Sequence, residues 1–374
     1  MGERAAEQPP LISGFGYVRP LGSGGFARVY LYEQDMPRRV VAVKVLEEDL
    51  STPTDRSVFE AEADTMARLS SHPSIVSIFQ ASVSSDGRPY LAMEYCPDSM
   101  RARTKGRPAP VAEVLDAGVR LAGALETAHQ AGVLHRDIKP SNVLISTTGR
   151  PALADFGIAS LRGRVHGEGA SQAMSIPWAA PEIITGEASG TIASEVWSLG
   201  ATLYTFAAGR SPFESGDRVQ NTQAKMSARI EKARYAPLSA SPGYEALDAV
   251  LARAMSRSPR DRFPSMREFG LALQQLQRHY GLDVTPLDVV SAGWVTPAAH
   301  DDRVRGPVVS SVQRSSRAQK RADHLARDRG TDRDGLVIDA PGPSPLRAGL
   351  IGAGIAVAAI GAIALAVLVL GGGL

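Results

Sequence analysis

The stretch that decides the fold of this chain is Val133-Leu134-His135-Arg136-Asp137-Ile138-Lys139-Pro140-Ser141-Asn142-Val143-Leu144. It places an acid, a cation and a carboxamide close together, between a helical pattern and an apolar, strand-like run. A carboxylate held in such a loop can accept or orient the proton of a hydroxyl group, and a nearby lysine can neutralise negative charge. In the alternative interpretation, Asp137 and Asn142 simply cap turns. The rest of the sequence decides between the two.

The composition indicates a globular protein with more than one unit. The chain has 374 residues, of which 44% are hydrophobic and 21% charged, so it can bury a sizeable core. Its 41 Lys and Arg residues nearly balance 39 acidic residues, and this gives no indication of nucleic-acid binding. The single cysteine, Cys96, excludes an internal disulfide and fits a reducing compartment. A structural or substrate-lining thiol is favoured over a catalytic nucleophile.

The two ends of the chain differ in character. Residues 1–14 are predicted to be a flexible N-terminus without the apolar core of a secretory signal. Residues 348–370 contain only Ala, Gly, Ile, Leu and Val. At about 1.5 Å per residue this run can cross a hydrocarbon core of about 30 Å, which predicts one transmembrane helix. The arginine-rich segment before it favours a single-pass protein of the cell membrane with its N-terminal part in the cytoplasm.

Residues 282–346 are predicted to be a disordered juxtamembrane linker, because they lack apolar periodicity and are rich in Pro, Gly, Ser, Asp and Arg. Its arginines can contact anionic headgroups, and a merely solvated linker is an equal alternative. In the predicted span, Gly354, Ala358 and Ala362 form a ridge of small residues on which two helices could pack as a homodimer. Since Ala and Gly dominate the whole segment, chance is the better explanation of the ridge.

A glycine cluster lies near the start of the predicted globular region, within Leu21-Gly22-Ser23-Gly24-Gly25-Phe26-Ala27-Arg28-Val29. Alternating apolar residues on both sides predict a β-hairpin. Glycines allow backbone N–H groups to close over phosphate oxygens. A dinucleotide site would need a third glycine and a helix directly afterwards, whereas this chain has Ala27 and a strand-like run. The cluster alone leaves phosphate binding and a plain hairpin both open.

Lys44 lies in the β-branched run Val40-Val41-Ala42-Val43-Lys44-Val45-Leu46. A buried strand rarely places an ammonium group among valines unless an anion neutralises it. The alternative is an edge-strand lysine whose ammonium reaches solvent. Three further segments follow it: Tyr90-Leu91-Ala92-Met93-Glu94-Tyr95-Cys96-Pro97, Asp155-Phe156-Gly157 and Ala180-Pro181-Glu182.

Taken in order, these motifs resemble those of Hanks-type protein kinases, and the chain is similar to bacterial membrane-anchored Ser/Thr kinases of this type. The resemblance implies an α+β, two-lobed kinase domain over residues 15–281. Its β-rich N-lobe would span about 15–93 and its larger helical C-lobe about 97–281. The implied activity is transfer of the γ-phosphate of ATP to serine or threonine hydroxyls of protein substrates, with autophosphorylation, in signalling at the cytoplasmic face of the membrane.

The resemblance also implies residue roles. Asp137, Lys139 and Asn142 would be catalytic, and Asn142 and Asp155 would bind Mg²⁺, with Mn²⁺ as the alternative ion. Glu62, favoured over Glu60, would orient Lys44. The residues expected to form the ATP site are Leu21, Gly22, Ser23, Gly24, Gly25, Phe26, Ala27, Val29, Ala42, Lys44, Glu62, Met93, Glu94, Cys96, Leu144 and Asp155.

Several expectations concern structure and regulation. Ser175 replaces the usual threonine and keeps a hydroxyl for Asp137 and Lys139, and Phe156 is expected to pack inward. Glu195 stands where the family usually has an Asp that anchors the backbone of the catalytic loop, the loop that contains Asp137. The added methylene of Glu changes how far this side chain reaches. Arg262 is expected to pair with Glu182.

Arg136 indicates control by phosphorylation of the activation segment, which follows Asp155 and ends at Ala180-Pro181-Glu182. Ser160, Ser171 and Ser175 are the only hydroxyl-bearing residues between Asp155 and Ala180, and Ser171 is the predicted regulatory site. The sequence disfavours two other functions. A pseudokinase scaffold is disfavoured because Lys44, Asp137, Asn142 and Asp155 are all retained. A receptor read mainly from outside is disfavoured because four residues follow the predicted span.

Overall fold

A computed structural model describes the chain at residues 9–23, 27–46, 52–156, 175–238 and 243–290. All of these residues belong to one compact unit, Met1–Val304. Within this unit the chain forms a smaller N-terminal lobe built on a sheet and a larger helical C-terminal lobe.

The N-terminal lobe contains an antiparallel sheet of five strands, β1 (Phe15–Ser23), β2 (Ala27–Gln34), β3 (Arg39–Leu46), β4 (Ile78–Val83) and β5 (Pro89–Glu94). Their order in the sheet is β1-β2-β3-β5-β4. Because side chains alternate along a strand, Val41 and Val43 face one side of β3 and Ala42 and Lys44 the other. The two valines pack with buried tyrosines of β2 and β5. Ala42 packs into the main core, so Lys44 faces the inner side of the sheet.

Helix α1 (Pro53–Leu69) covers that inner side. It begins after Thr52, whose side chain accepts a hydrogen bond from the backbone N–H of Asp55, while the Asp55 carboxylate accepts one from the Thr52 backbone. This capping box satisfies N–H groups that the first helical turn leaves unpaired. Phe59, Met66 and Leu69 are buried, as their helical spacing predicts.

The C-terminal lobe contains seven described helices: α2 (Met100–Thr104), α3 (Val111–Gln130), α4 (Pro181–Ile184), α5 (Ile192–Ala208), α6 (Gln223–Glu231), α7 (Glu245–Ala254) and α8 (Met266–His279). A small antiparallel sheet of β6 (Asp98–Ser99), β7 (Val143–Ile145) and β8 (Pro151–Leu153) lies beside them. Helices α3 and α5 form the centre of the core, where Leu121, Leu125, Trp197 and Phe206 are fully buried. The predicted two-lobed α+β architecture is therefore confirmed.

The compact unit extends beyond both predicted domain boundaries. Residues 1–14 were predicted to be flexible, but Ile12 is buried against the N-terminal sheet and the Tyr32 hydroxyl donates to the Pro10 carbonyl at 2.7 Å. The linker was predicted to start at 282, but residues 282–290 pack on the C-terminal lobe, with Thr285 buried. These contacts come from single side chains and backbone groups, which produce no periodic pattern in the sequence.

None of the helices in the described residues has both the length and the apolar content of a membrane span. The predicted span at 348–370 and the linker from residue 291 onward lie outside the described residues.

Candidate active site

The loop between α3 and β7 brings three predicted catalytic residues together. Lys139 Nζ donates to Asp137 Oδ2 at 2.7 Å. The amide nitrogen of Asn142 donates to the Asp137 carbonyl at 2.8 Å and to Asp137 Oδ2 at 3.2 Å. Asn142 ends a short 3-10 helix that begins at Pro140, and this turn directs its side chain back at Asp137. A carboxylate fixed by two donors has one orientation, which a positioned base requires.

Lys44 contributes the cation of the N-terminal lobe. Its side chain is 5% exposed, and Nζ donates to Asp155 Oδ1 at 2.7 Å. The anion that a buried ammonium group requires is therefore the carboxylate directly after β8, in the other lobe. The sequence predicted Glu62 as the partner of Lys44. Glu62 lies half-buried in α1, and in this structure Asp155 neutralises the lysine.

Backbone hydrogen bonds connect the Lys44–Asp155 pair to the catalytic loop. Ala154, the residue before Asp155, donates its N–H to the Asn142 carbonyl at 2.8 Å. Its own carbonyl contacts Nε2 of the buried His135 at 2.9 Å. These two hydrogen bonds thus hold the residue before Asp155 against the loop that carries Asp137.

Ser175 connects the end of the activation segment to this loop. Its hydroxyl donates to Asp137 Oδ1 at 2.7 Å and accepts from Lys139 Nζ at 2.8 Å. Asp137, Lys139 and Ser175 therefore form a closed triangle in which each side chain restrains the other two. The hydroxyl that replaces the family's threonine makes both of the contacts expected of it.

Glu195, on α5, anchors the backbone of the catalytic loop. One carboxylate oxygen accepts from the Arg136 backbone N–H at 2.6 Å, and the other contacts Nε2 of His129 at 2.6 Å. Arg136 has a φ of 63°, which is unfavourable for a side chain with a Cβ. The added methylene of Glu195 still reaches this backbone group. Sequence reasoning did not predict the contact of His129 with Glu195. The only signal in the sequence is the position of this histidine at the end of an amphipathic helix.

Six of the residues expected to form the ATP site lie around the junction of the lobes. Leu21, Val29, Cys96 and Leu144 are half-buried and pack against the main core, and Ala42 and Met93 belong to that core. Burial, with a smaller contribution from the nearby charge of Glu94, raises the pKa of the Cys96 thiol to about 12. The thiol is therefore protonated near neutral pH and is a poor nucleophile. Gly24, Gly25 and Phe26 lie outside the described residues, as does the side chain of Ser23.

Phe156 is buried, and its ring centroid lies 4.5 Å from that of His135. Together with Met66, Leu91 and Met93 it lines an apolar cavity between α1, β5 and β8. Phe156 thus packs inward, and Met93 lines the same cavity.

A second ion pair lies deeper in the C-terminal lobe. Arg262 is fully buried and makes two parallel hydrogen bonds to Glu182, of 2.7 and 2.8 Å. It also donates to the backbone carbonyls of Ser256 and Ala193. The pair holds the end of the activation segment against the loop that precedes α8. The predicted phosphorylation site, Ser171, lies outside the described residues.

Asn142 and Asp155 are suitable ligands for a divalent cation. The amide nitrogen of Asn142 is taken by Asp137, which leaves its oxygen as the ligand atom. The Asp155 carboxylate is 30% exposed and so is accessible from the cleft. Oxygen ligands suit Mg²⁺, which usually combines one or two protein groups with water and substrate phosphates. Among the described residues, no group of three His, Cys, Asp or Glu side chains could hold a metal ion by itself.

This fold and this arrangement of side chains define a protein kinase domain. Residues 15–273 match the protein kinase domain family, so the chain belongs to the protein kinase family. Over 279 residues it is 40% identical to the serine/threonine-protein kinase PknK of Mycobacterium bovis, a match that covers 73% of this chain and 24% of PknK. It is 34% identical to the serine/threonine-protein kinase PknB of Mycobacterium leprae over 264 residues, 66% of this chain and 40% of PknB.

The solved structures lead to the same family. The crystal structure of the Mycobacterium tuberculosis PknI kinase domain has a TM-score of 0.54 and 31% sequence identity. The similarity covers 72% of this chain and 99% of that domain. The chain spans less than half the length of the curated relatives PknK and PknB, and the part that matches them includes its protein kinase domain.

Proposed function

We propose that this chain transfers the γ-phosphate of ATP to serine and threonine hydroxyls of proteins, with Mg²⁺ as the metal. The proposal rests on the Lys44–Asp155 pair, 2.7 Å apart, and on the hydrogen bonds that join Asn142 both to Asp137 and to Ala154, the residue before Asp155. The names of the relatives PknK and PknB, both serine/threonine-protein kinases, support this acceptor class.

The arrangement is suited to catalysis by positioning and electrostatics. Asp137 orients the acceptor hydroxyl and accepts its proton. Lys139 lies 2.7 Å from that carboxylate, close enough to neutralise charge on the phosphate being transferred. Asn142 and Asp155 would hold the metal, which when bound neutralises the phosphates. Lys44, which lies 2.7 Å from Asp155, would supply a positive charge for the phosphate oxygens.

Autophosphorylation, membrane attachment and self-association extend this proposal. The chain would phosphorylate serine in its own activation segment, at Ser171, and Arg136 would then bind the phosphate. The apolar residues 348–370 would anchor the kinase domain to the cytoplasmic face of the cell membrane, and dimers would raise the effective concentration for phosphorylation in trans. These three features rest on the sequence.

The test is an assay of the full chain with labelled ATP, Mg²⁺ and a generic protein acceptor, followed by identification of the labelled amino acids. Label on serine or threonine that is lost in Asp155→Asn supports the proposal. An Asp155→Asn protein that still binds nucleotide controls for loss of folding. A wild-type chain that binds ATP but labels no acceptor, itself included, would instead be a pseudokinase scaffold.

A further inference from the structure

Residues 282–290, here called the strap, run along the C-terminal lobe and reach the lobe junction. Thr285 fixes the start of the strap: its backbone N–H donates to Gln277 Oε1 at 2.9 Å, and its hydroxyl donates to Asp116 Oδ1 at 2.8 Å. Gln274 donates to the Thr285 carbonyl at 2.8 Å. At the far end, the N–H of Val290 donates to the Thr127 hydroxyl at 3.1 Å.

Two helices have glycine where the strap crosses them. A Cβ on Gly123 of α3 would overlap the carbonyl oxygen of Asp288, and a Cβ on Gly270 of α8 would lie 2.7 Å from Leu287 Cδ1. Glycine inside a helix costs about 1 kcal/mol relative to alanine, so these positions sacrifice helix stability to let the strap approach. Asp116, Gly123 and Thr127 are spaced by seven and four residues, so the strap follows one face of α3.

At the lobe junction the strap holds a buried histidine. His72 is 1% exposed and follows α1. Its Nε2 lies 2.9 Å from the Asp288 carbonyl, and its Nδ1 accepts from the Ser74 backbone N–H at 3.0 Å. A carbonyl can only accept and an N–H can only donate, so the ring is neutral with its proton on Nε2. Both ring nitrogens are used, and the orientation of the imidazole is fixed.

The loop that His72 orders is bonded directly to the strand before Asp155. The Leu153 N–H donates to the Ser74 carbonyl at 2.9 Å, and the Val76 N–H donates to the Leu153 carbonyl at 3.0 Å. Leu153 is the last residue of β8, two residues before Asp155. Its neighbour Ala154 is held on the other side by the catalytic loop. The end of β8 is therefore held from two sides. The strap, His72 and residues 74–76 hold one side, and the catalytic loop holds the other.

We propose that His72 is a positioning residue for Asp155, and that the strap sets its position through the Asp288 carbonyl. This inference rests on the proposed role of Asp155 as a ligand of metal-bound nucleotide. It assigns residues 282–290 to the working kinase domain, although the match to the kinase family ends at residue 273.

Two variants of the full chain separate this role from simple folding. In His72→Asn the side-chain oxygen can still accept from Ser74, but the contact with Asp288 is lost. Thr285→Val keeps the shape of the side chain and removes the hydroxyl that anchors the strap. This anchor is at the start of the strap, away from the proposed nucleotide site. The matched control is Thr202→Val, because Thr202 is also buried and its hydroxyl makes no hydrogen bond to any described residue.

The first measurement is hydrogen exchange of the Leu153 amide in the nucleotide-free protein. The second is the ratio of the ADP dissociation constants without and with Mg²⁺, measured by calorimetry. We expect faster exchange at Leu153 and a ratio that falls about threefold to tenfold in His72→Asn, as for one lost hydrogen bond. Thr285→Val should change both in the same direction by less, and Thr202→Val should change neither. A folding defect alone would lower the binding-competent fraction and leave the ratio unchanged.

An unchanged ratio in a folded His72→Asn or, where that variant does not fold, in Thr285→Val overturns the inference. If the wild-type chain binds no ADP, the proposed function fails, and exchange at Leu153 alone decides the inference: faster exchange in the variants supports it and equal exchange overturns it.

Discussion

Glu195 Oε1 accepts a hydrogen bond of 2.6 Å from the backbone N–H of Arg136, the residue before Asp137. Arg136 adopts a φ of 63°, a conformation that costs about 1–2 kcal/mol for residues other than glycine. The buried carboxylate therefore compensates for backbone strain next to the proposed catalytic base. His129 takes the second oxygen and holds the carboxylate in place.

Shortening this side chain should impair the chemical step. We expect Glu195→Asp to lower the phosphorylation rate about tenfold or more, because one of two short charge-assisted hydrogen bonds, worth about 1.5–3 kcal/mol, is lost. Steady-state phosphorylation kinetics measure it. The control is Glu187→Asp, since Glu187 is exposed. Equal rates for Glu195→Asp and the wild type would show that the catalytic loop does not depend on the length of the Glu195 side chain.

Removing the Ser175 hydroxyl should lower the rate and leave the fold intact. We expect Ser175→Ala to lose contacts with both Asp137 and Lys139 and to reduce kcat more than tenfold, whereas Ser175→Thr retains most activity. Ser198→Ala is the control, because that hydroxyl bonds only within its own helix among the described residues. Similar kcat values for the alanine and threonine variants would contradict this role.

Breaking the Glu182–Arg262 pair should strongly destabilise the C-terminal lobe. Arg262 is fully buried, so Glu182→Gln leaves its charge without compensation, and we expect a loss of about 3–5 kcal/mol in the free energy of unfolding. Urea denaturation measures this loss.

The Asp98–Arg103 pair offers a matched control, because both side chains are partly exposed to solvent. Asp98→Asn should cost at most about 1 kcal/mol. A loss as small for Glu182→Gln would mean that the buried pair contributes no more than a surface pair does.

His72 should make stability depend on pH. Burial lowers its pKa below the ordinary value of 6.5, and the Asp288 contact opposes this only in part. Below pH 6.5 the unfolded chain binds a proton at His72 that the folded chain does not bind. The stabilisation that comes from neutral His72 is therefore complete above pH 6.5 and is lost as the pH falls. Unfolding curves at about pH 8 and pH 5.5 should show a larger acid-induced loss in the wild type than in His72→Asn. Parallel losses would contradict this.

Sequence reasoning succeeded where a residue type is unusual in its surroundings. A lysine among valines predicts an anion, and Asp155 supplies it, although Glu62 was the expected partner. The identity of that partner depends on where β8 ends against β3, and no local pattern encodes such a relation between lobes. The inward face of α1 was predictable because three apolar residues share one helical face.

The strap was missed for a different physical reason. It is held by a threonine, two glutamines and backbone carbonyls, and such contacts leave no hydrophobic period in the sequence. The strap itself is mostly aliphatic, but it directly precedes residues whose polar, proline-containing composition is typical of a linker. The available signal was in the helices that it crosses. Gly123 and Gly270 lie inside strongly helical patterns, where glycine is unfavourable unless another segment approaches closely.

The most direct test of the account is phosphate transfer by the full chain and by Lys44→Met and Asp155→Asn, with Mg²⁺ and labelled ATP. The account predicts that the wild type labels serine or threonine, and that each variant remains folded but loses at least 100-fold of the rate, roughly 2.7 kcal/mol or more of transition-state stabilisation. Full labelling by either variant would contradict the claim that this lysine and this aspartate act on one nucleotide in one cleft.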